Sequence, residues 1–335
     1  MLTRRSLAAL AGAAALALAA AVPALAQPIL IKFSHVVAPD TPKGKGATNF
    51  EELAEKYTDG AVDVEVYPNS QLYKDKEELE ALQLGAVQML APSLAKFGPL
   101  GVQDFEVFDL PYIFKGYDAL HTVTNGEVGK MLFSKLEDKG INGLAYWDNG
   151  FKIMSANSPI ATPDDFLGLK MRIQSSKVLD GADSNALGAV PQVMAFSEVY
   201  QALQTGVVDG TENPPSNMYT QKMHEVQKHA TVSNHGYLGY AVIVNKQFWD
   251  GLPEEVRAGL EKALTEATDY ANGIAKEEND KALQAMKDAG TTEFHELTPE
   301  ELAAWEEVLA PVHEEMAGRI GAETIAAVKA ATGTN

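Results

Sequence analysis

The sequence of 335 residues contains no cysteine, and this excludes disulfides and every metal site built on thiolate ligands. Positive charge is also scarce, because the sequence has 27 lysine and arginine residues but 46 acidic residues. The formal net charge of −19 at pH 7 argues against binding to nucleic acids or to anionic membrane surfaces. Any site for an anion must therefore be a local cluster of cationic side chains, since the overall field repels anions.

The sequence also lacks the motifs of the common enzyme classes. It has no G-x-S-x-G segment and no phosphate-binding P-loop. The segment GKGATN (44–49) lacks the third glycine of a dinucleotide fingerprint. The pairs His224-Glu225 and His313-Glu314 lack the second histidine of a zinc-protease helix. We therefore predict neither an enzyme nor a bound cofactor or metal.

A long apolar run occurs only at the start of the chain. The basic segment MLTRR is followed by SLAALAGAAALALAAAV and by PALA, a small-residue cleavage site. This pattern predicts a secretory signal peptide over residues 1–26. Cleavage would leave 309 residues with a formal charge of −21, which is enough chain for about two domains. The route of export, general secretory or twin-arginine, stays open.

Strand and helix patterns alternate at the start of the mature chain. Residues 29–35 and 61–68 show the pattern of strands, residues 43–60 have apolar side chains at helical spacing, and residues 74–87 predict a second helix. This order is typical of a parallel or mixed sheet that is covered by helices.

The longest predicted helix runs over residues 252–290 and has a length on the order of 50 Å. Its apolar stripe is Val256, Leu260, Ala263, Leu264, Ala267, Tyr270, Ala271 and Ile274. A helix of this length could contact two lobes at once.

A faint internal repeat agrees with two lobes. The segments EALQLGAVQ (80–88) and QALQTGVVD (201–209) share the pattern Ala-Leu-Gln-x-Gly-x-Val. Each predicts a helix that ends at a glycine and leads into an apolar strand. The alternative is that helix-to-strand turns generally favour glycine.

An unusual arginine lies on the predicted strand 169–174. Leu169, Met171 and Ile173 alternate with Lys170, Arg172 and Gln174, which is the pattern of a half-buried strand. No acidic residue follows Arg172 closely in sequence. The strand therefore presents a guanidinium that has no obvious partner in the chain.

Other candidate site residues lie at the ends of predicted elements. They are His35, Lys96, Lys152, Phe196 and Asn213. Each also has an ordinary explanation. A surface position would explain Lys96, an ion pair with Asp148 would explain Lys152, a core position would explain Phe196, and a turn would explain Asn213.

Four segments together resemble a known family. They are WDNGFKIMSAN (147–157), GLKMRIQSSKV (168–178), the long segment 186–229 and HGYLGYAVIVNKQFW (235–249). In this order they resemble the extracytoplasmic solute receptors of TRAP transporters, and in particular the branch that binds C4-dicarboxylates.

The resemblance implies an α/β fold with the two lobes of a type II-like periplasmic binding protein, a central cleft and a long helix that spans both lobes. We expect residues 28–150 with about 240–280 to form the first lobe. The second lobe, which carries the carboxylate clamp, is expected to contain residues 151–239 with about 281–335.

The resemblance also implies roles for the candidate residues. Arg172 matches the arginine that binds the ligand carboxylate through two parallel hydrogen bonds, Asn213 matches the asparagine that helps to hold it, and Phe196 matches an aromatic that packs on the ligand. Lys152 stands where the family often has a second arginine, and a lysine offers a point charge in place of a fork. His35 and Lys96 are the candidates for the second carboxylate of the ligand.

We therefore expect a monomeric periplasmic receptor with high affinity for succinate, malate or fumarate. Its partners would be the small and large integral membrane subunits of a TRAP transporter. A sugar acid, a keto acid or an aromatic acid is the alternative ligand. An exported hydrolase and an adhesion protein are the remaining alternatives, and no motif supports either.

Overall fold

The computed structural model describes residues 27–333, so the predicted signal peptide 1–26 lies outside the described residues. The strands are β1 (Ile29–Ser34), β2 (Val62–Tyr67), β3 (Met89–Leu90), β4 (Ile141–Phe151), β5 (Ile153–Ala156), β6 (Lys170–Ile173), β7 (Val190–Val193), β8 (Gly210–Asn213), β9 (His229–Val232), β10 (Tyr237–Asn245) and β11 (Glu293–Glu296).

The α-helices lie between and after these strands. They are α1 (Pro42–Tyr57), α2 (Glu78–Gln83), α3 (Tyr117–Thr124), α4 (Glu127–Ser134), α5 (Lys177–Gly181), α6 (Val199–Thr205), α7 (Pro215–Thr220), α8 (Lys246–Asp250), α9 (Glu254–Ala289), α10 (Pro299–Leu309), α11 (Pro311–Glu315), α12 (Ala317–Ile320) and α13 (Ala322–Thr332). Among residues 27–333, none of the helices has both the length and the apolar composition of a membrane span.

The strands form two mixed sheets, which confirms the predicted α/β class. The first sheet has the order β2-β1-β3-β10-β4, and the second has the order β11-β9-β5-β8-β6-β7. The lobe boundaries in the sequence stay a prediction. At the C-terminal end, α10 lies near the turn Pro163–Phe166 of the second half, whereas α12 and α13 pack on segments 103–109 and 117–124 of the first half.

Two extended segments cross from one sheet to the other. The first runs through β4, Lys152 and β5 without a loop, and the second joins β9 to β10. The segments meet at the crossing, where the backbone N–H of Lys152 donates to the carbonyl of Gly236 at 2.8 Å. Lys152 therefore lies at the narrow connection where two lobes can bend relative to each other.

The internal repeat corresponds to equivalent positions in the two sheets. Helix α2 leads to β3 through Gly85, and α6 leads to β8 through Gly206. Both glycines have positive φ angles, 75° and 72°, which favour glycine. Strand β3 is parallel to β1 and antiparallel to β10, and β8 is parallel to β6 and antiparallel to β5. Both copies thus place a short strand beside a crossover strand.

Helix α9 contacts both halves, as its length suggested. Near its middle it approaches α1 so closely that a Cβ atom on Gly46 would lie 2.8 Å from the Cβ of Ala271. Trp147 of β4 donates from Nε1 to the hydroxyl of Thr268 at 2.8 Å. Further along, Met286 is buried in the core of the second half together with Ile153 and Phe196.

The predicted stripe of α9 is correct in its first part and wrong at Tyr270. Val256, Leu260 and Ala267 are buried, whereas 42% of Tyr270 is exposed. Tyr270 lies about 100° around the helix from the buried Ala271, because successive residues rotate by that angle. The buried stripe continues instead through Ala275, Asn279, Ala282 and Met286.

Asn279 is the polar member of this stripe, and it joins the two halves. Its Oδ1 accepts the backbone N–H of Ser216 in α7 at 3.0 Å. Its Nδ2 donates to the carbonyl of Asn149 in β4 at 2.7 Å and to that of Ala275 at 2.8 Å. One buried side chain thus satisfies backbone groups on both sides of the crossover.

We expect Asn279→Ala to lower the free energy of unfolding by about 1–3 kcal/mol, because it leaves a buried N–H and a buried carbonyl without partners. Urea denaturation followed by circular dichroism measures this change. Gln284→Ala on the exposed side of the same helix is the matched control and should stay within about 0.5 kcal/mol of the wild type. Equal losses in the two variants would contradict the bridging role of Asn279.

Candidate functional site

A cavity lies between the two sheets, beside the crossover. The residues that line it are Val36, Val37, Asp75, Glu78, Ser93, Lys96, Lys152, Arg172, Gln174, Phe196, Glu212, Asn213, Asn217, Leu238 and Tyr240. Five of the six residues that the sequence singled out are therefore brought together at one site.

The sheet register explains why Arg172 and Asn213 lie side by side. Strands β6 and β8 are parallel neighbours, and Arg172 is paired with Thr211. Asn213 lies two residues further along β8, so it projects from the same face as Thr211 and Arg172. Glu212, between them in sequence, projects from the opposite face.

The guanidinium of Arg172 is buried and has no acidic partner among residues 27–333. Only 4% of the residue is exposed. Its Nε and Nη2 atoms donate to the carbonyl of Met194 at 3.1 and 2.8 Å, which fixes the orientation of the group. The Nη1 group and the second Nη2 hydrogen have no acceptor in this part of the chain.

Strand β6 is buried more completely than the alternating pattern predicted. Met171 and Ile173 face the core, and Arg172 and Gln174 on the other face are also buried, because that face points into the cleft. Burial lowers the pKa of Arg172, and the charges of Asp75 and Glu212 oppose this effect. The guanidinium remains charged, because its ordinary pKa is above 12.

Two further side chains complete the surroundings of Arg172. The Phe196 ring lies with its centroid 5.9 Å from the Cζ atom of Arg172, which is within the range of a cation–π contact. The side-chain oxygen of Asn213 accepts from Asn217 at 3.3 Å. The Nδ2 group of Asn213 is buried and has no acceptor in the described chain. The cationic fork and an amide donor therefore face the cavity together.

Lys152 has internal partners, but Asp148 is not among them. Its Nζ lies 2.8 Å from Glu212 and 4.0 Å from Asp109, and the side chain is 2% exposed. Asp148 instead accepts from Tyr237 at 2.6 Å and contacts His121. Burial alone lowers the pKa of Lys152, but Glu212 and Asp109 outweigh it, so that its pKa is raised and the ammonium persists.

Glu212 is held as a carboxylate between two groups. Its Oε1 accepts from Lys152, and its Oε2 lies 2.8 Å from Nε2 of His235. Burial alone raises the pKa of Glu212, but Lys152 and His235 reverse this effect and lower the pKa to about 2. The sequence analysis missed Glu212, although it is adjacent to Asn213.

Lys96 is a buried residue that lines the cleft and is not a surface lysine. It is 6% exposed, and its Nζ lies 2.8 Å from Asp75. His35 is not among the residues that line the cavity, although Val36 and Val37 next to it are. Burial, assisted by the charge of Lys43, lowers the pKa of His35 to about 3, so the ring is neutral at pH 7.

Glu78 and Tyr240 were also missed by the sequence analysis. Glu78 begins α2 and is 1% exposed. It occupies the same side of the helix as the buried Ala81 and Leu82, and an acid in an apolar stripe is the signal that could have found it. Within the described part of the chain, no group of three or more histidine and acidic side chains could hold a metal ion.

Comparisons with known proteins agree with this geometry. Residues 33–319 match the DctP family, described as "Bacterial extracellular solute-binding protein, family 7". The chain is 87% identical over 332 residues to the C4-dicarboxylate-binding periplasmic protein DctP of Rhodobacter capsulatus, with 99% of each chain covered.

Two solved structures share the fold. One is a TRAP periplasmic solute-binding protein of Sulfurospirillum deleyianum with bound succinate, at 46% identity and a TM-score of 0.88, covering 91% of this chain and 100% of the other. The second is the sugar acid binding protein DctPAm of Advenella mimigardefordensis with galactonate, at 32% identity and a TM-score of 0.89, covering 92% and 98%. The two-lobed fold, the buried cationic cleft and the match over most of the sequence lead to one conclusion: this chain belongs to the DctP family of bacterial extracellular solute-binding proteins.

Proposed function

We propose that this protein is a periplasmic receptor that binds a C4-dicarboxylate such as succinate, malate or fumarate in the cleft. The observation that carries the proposal is the buried guanidinium of Arg172, which has no acidic partner between residues 27 and 333. An uncompensated buried charge is costly unless a ligand of opposite charge completes its hydrogen bonds. A carboxylate fits the fork of a guanidinium through two parallel bonds.

The proposed contacts of the first carboxylate are Arg172 and the free Nδ2 group of Asn213. A hydrogen bond to a charged group contributes roughly 1.5–3 kcal/mol, so three such contacts approach the roughly 8 kcal/mol of micromolar affinity. Phe196 covers the ligand from the side. Lys96 and Lys152 add positive charge across the cavity, but each also holds an acid of the protein.

A four-carbon acid is supported as the ligand because this chain is more similar to the dicarboxylate-binding relatives than to the sugar-acid-binding one. DctP of Rhodobacter capsulatus, at 87% identity, carries the name of a C4-dicarboxylate-binding protein. The succinate-bound relative is 46% identical, and the galactonate-bound relative is 32% identical. A sugar acid is therefore the second candidate.

We further propose that closure of the lobes signals occupancy to the two membrane subunits of a TRAP transporter. Two bonds already cross the cleft: Ser93 donates to Gln174 at 2.6 Å, and Lys74 lies 2.6 Å from Glu198. A ligand that binds both lobes favours the closed form, and a membrane partner that prefers this form would then receive the ligand. Export by the predicted signal peptide 1–26 would place the receptor in the periplasm.

Arg172→Ala should fold and should weaken succinate binding at least about 100-fold, because two charged hydrogen bonds are lost. Isothermal titration calorimetry measures the affinity, and circular dichroism checks the fold. Lys170→Ala is the matched control, because Lys170 lies on the same strand but is exposed. Undiminished affinity in Arg172→Ala would remove the central contact of the proposal.

A thermal-shift screen should separate the two candidate ligand classes. Succinate, malate and fumarate should raise the unfolding midpoint, since a ligand at 100 times its Kd adds about 2.7 kcal/mol to stability. Butyrate has four carbons but one carboxylate and should give a much smaller shift. Stabilisation by galactonate without stabilisation by succinate would favour the sugar acid.

The pairing of Lys152 with Glu212 predicts strong coupling between these residues. Glu212→Gln should lower the free energy of unfolding by about 3 kcal/mol, because it leaves a buried ammonium without its counter-charge. The double variant Lys152→Met/Glu212→Gln should cost less than the sum of the single variants by at least about 1 kcal/mol. Urea denaturation of the wild type, Lys152→Met, Glu212→Gln and the double variant tests this cycle. Additive losses of unfolding free energy would contradict the pairing.

A further inference from the structure

Glu78 is the acidic side chain of the cleft that no cation of the described chain neutralises directly. It lines the cavity and is 1% exposed. Neither of its carboxyl oxygens has a hydrogen-bond partner between residues 27 and 333. Glu78 belongs to the first half of the fold, whereas Arg172 belongs to the second, so the two groups face the cavity from opposite sides.

The neighbouring cations are already engaged. Lys96 lies 2.8 Å from Asp75. Lys43 on α1 donates to the carbonyl of Ala91 at 2.9 Å, and its ammonium lies 3.7 Å from the centre of the Tyr240 ring. Neither lysine lies within ion-pair distance of Glu78, although both act on it through space.

The charge balance of the lining depends on Glu78. Three cations, Lys96, Lys152 and Arg172, line the cavity with three acids, Asp75, Glu78 and Glu212. If Glu78 were ionised, the charges of these six side chains would sum to zero. If Glu78 carries a proton, the lining has an excess positive charge, and the carboxyl O–H becomes a donor.

The surroundings of Glu78 favour the protonated form. Burial raises the pKa of Glu78 most strongly, the charge of Lys43 opposes this effect, Asp75 adds to it, and Lys96 opposes it, with a resulting pKa of about 7. Burial also lowers the pKa of Lys43 to about 7, so Lys43 and Glu78 titrate in the same range. Tyr240 is neutral, because burial raises its pKa to about 12, and the nearby His35 is neutral at pH 7. A bound dianion would raise the pKa of Glu78 further, since a like charge disfavours ionisation.

We propose that Glu78 contacts the bound acid as a protonated carboxyl group that donates its O–H to the far carboxylate, so that binding of a dicarboxylate takes up a proton. The proton comes from solvent and stays on Glu78, and no covalent bond of the ligand changes. This inference rests on the proposed function, and it names a group that reads the end of the ligand opposite Arg172.

Calorimetry with succinate in buffers of different ionisation enthalpy tests the proposal on the wild-type protein. Because burial raises the pKa of Glu78 to about 7, more of Glu78 is ionised at pH 8 than at pH 6.5. The wild type should therefore take up more of a proton per succinate at pH 8 than at pH 6.5. Between pH 8 and 9 its affinity should fall by up to about tenfold, the limit for the uptake of one proton.

Glu78→Gln keeps the size of the side chain and an N–H donor. It should bind succinate within about threefold of the wild type at pH 6.5, take up less of a proton than the wild type at pH 8, and show a weaker pH dependence of affinity. Glu80→Gln on the exposed side of the same helix removes the same charge and should behave like the wild type. Circular dichroism confirms that both variants are folded.

The outcomes separate this inference from the proposed function. Absence of succinate binding by the wild type would overturn the proposed function together with the inference. Binding without proton uptake at pH 8 would overturn the inference alone. Full proton uptake in Glu78→Gln would also overturn it, because another group would then be the acceptor.

Discussion

A buried charge requires a partner, and the fold provides an acid to each lysine of the cleft but not to its arginine. Lys96 is paired with Asp75 and Lys152 with Glu212, whereas the one acceptor of Arg172 within residues 27–333 is the carbonyl of Met194. That carbonyl orients the fork without cancelling its charge. The remaining donors of Arg172 are thereby fixed toward the cavity, and in the proposed complex a carboxylate accepts from them. The surrounding residues keep this charge buried and oriented.

The ion pair of Lys152 with Glu212 follows from the crossover. Lys152 interrupts the continuous segment of β4 and β5 at the point where the chain passes between the sheets. Because Glu212 and Asn213 project from opposite faces of β8, one residue neutralises Lys152 while the next stands beside Arg172. His235 on the second crossover contacts the other oxygen of Glu212. Both connecting segments are thus joined to the floor of the cleft by the same carboxylate.

Much of the fold could be predicted from the sequence, because periodicity marks surfaces that face a core. Strand β1, strand β2 and the long helix α9 were placed within a few residues, and the resemblance indicated two lobes. The partners of the site residues could not be predicted. Glu212 and Lys152 are 60 residues apart, and Lys96 and Asp75 are 21 residues apart. Such pairs depend on tertiary contacts, and periodicity contains no information about them. The sequence pattern likewise assigned Arg172 to an exposed face, because a face that lines a cleft is as polar as one that faces solvent.

The strongly acidic chain makes local dehydration necessary for binding an anion. With a formal charge of −19, the protein repels a dicarboxylate at long range, and salt weakens that repulsion beyond about 10 Å. Attraction therefore has to arise at short range, where the closed cleft excludes water and strengthens each interaction. The bond between Ser93 and Gln174 joins the two halves at the cavity, where Arg172 and Gln174 are both buried. In the proposed complex, a ligand too short to reach both halves would contact Arg172 without favouring closure, so we expect selectivity for length from the same geometry.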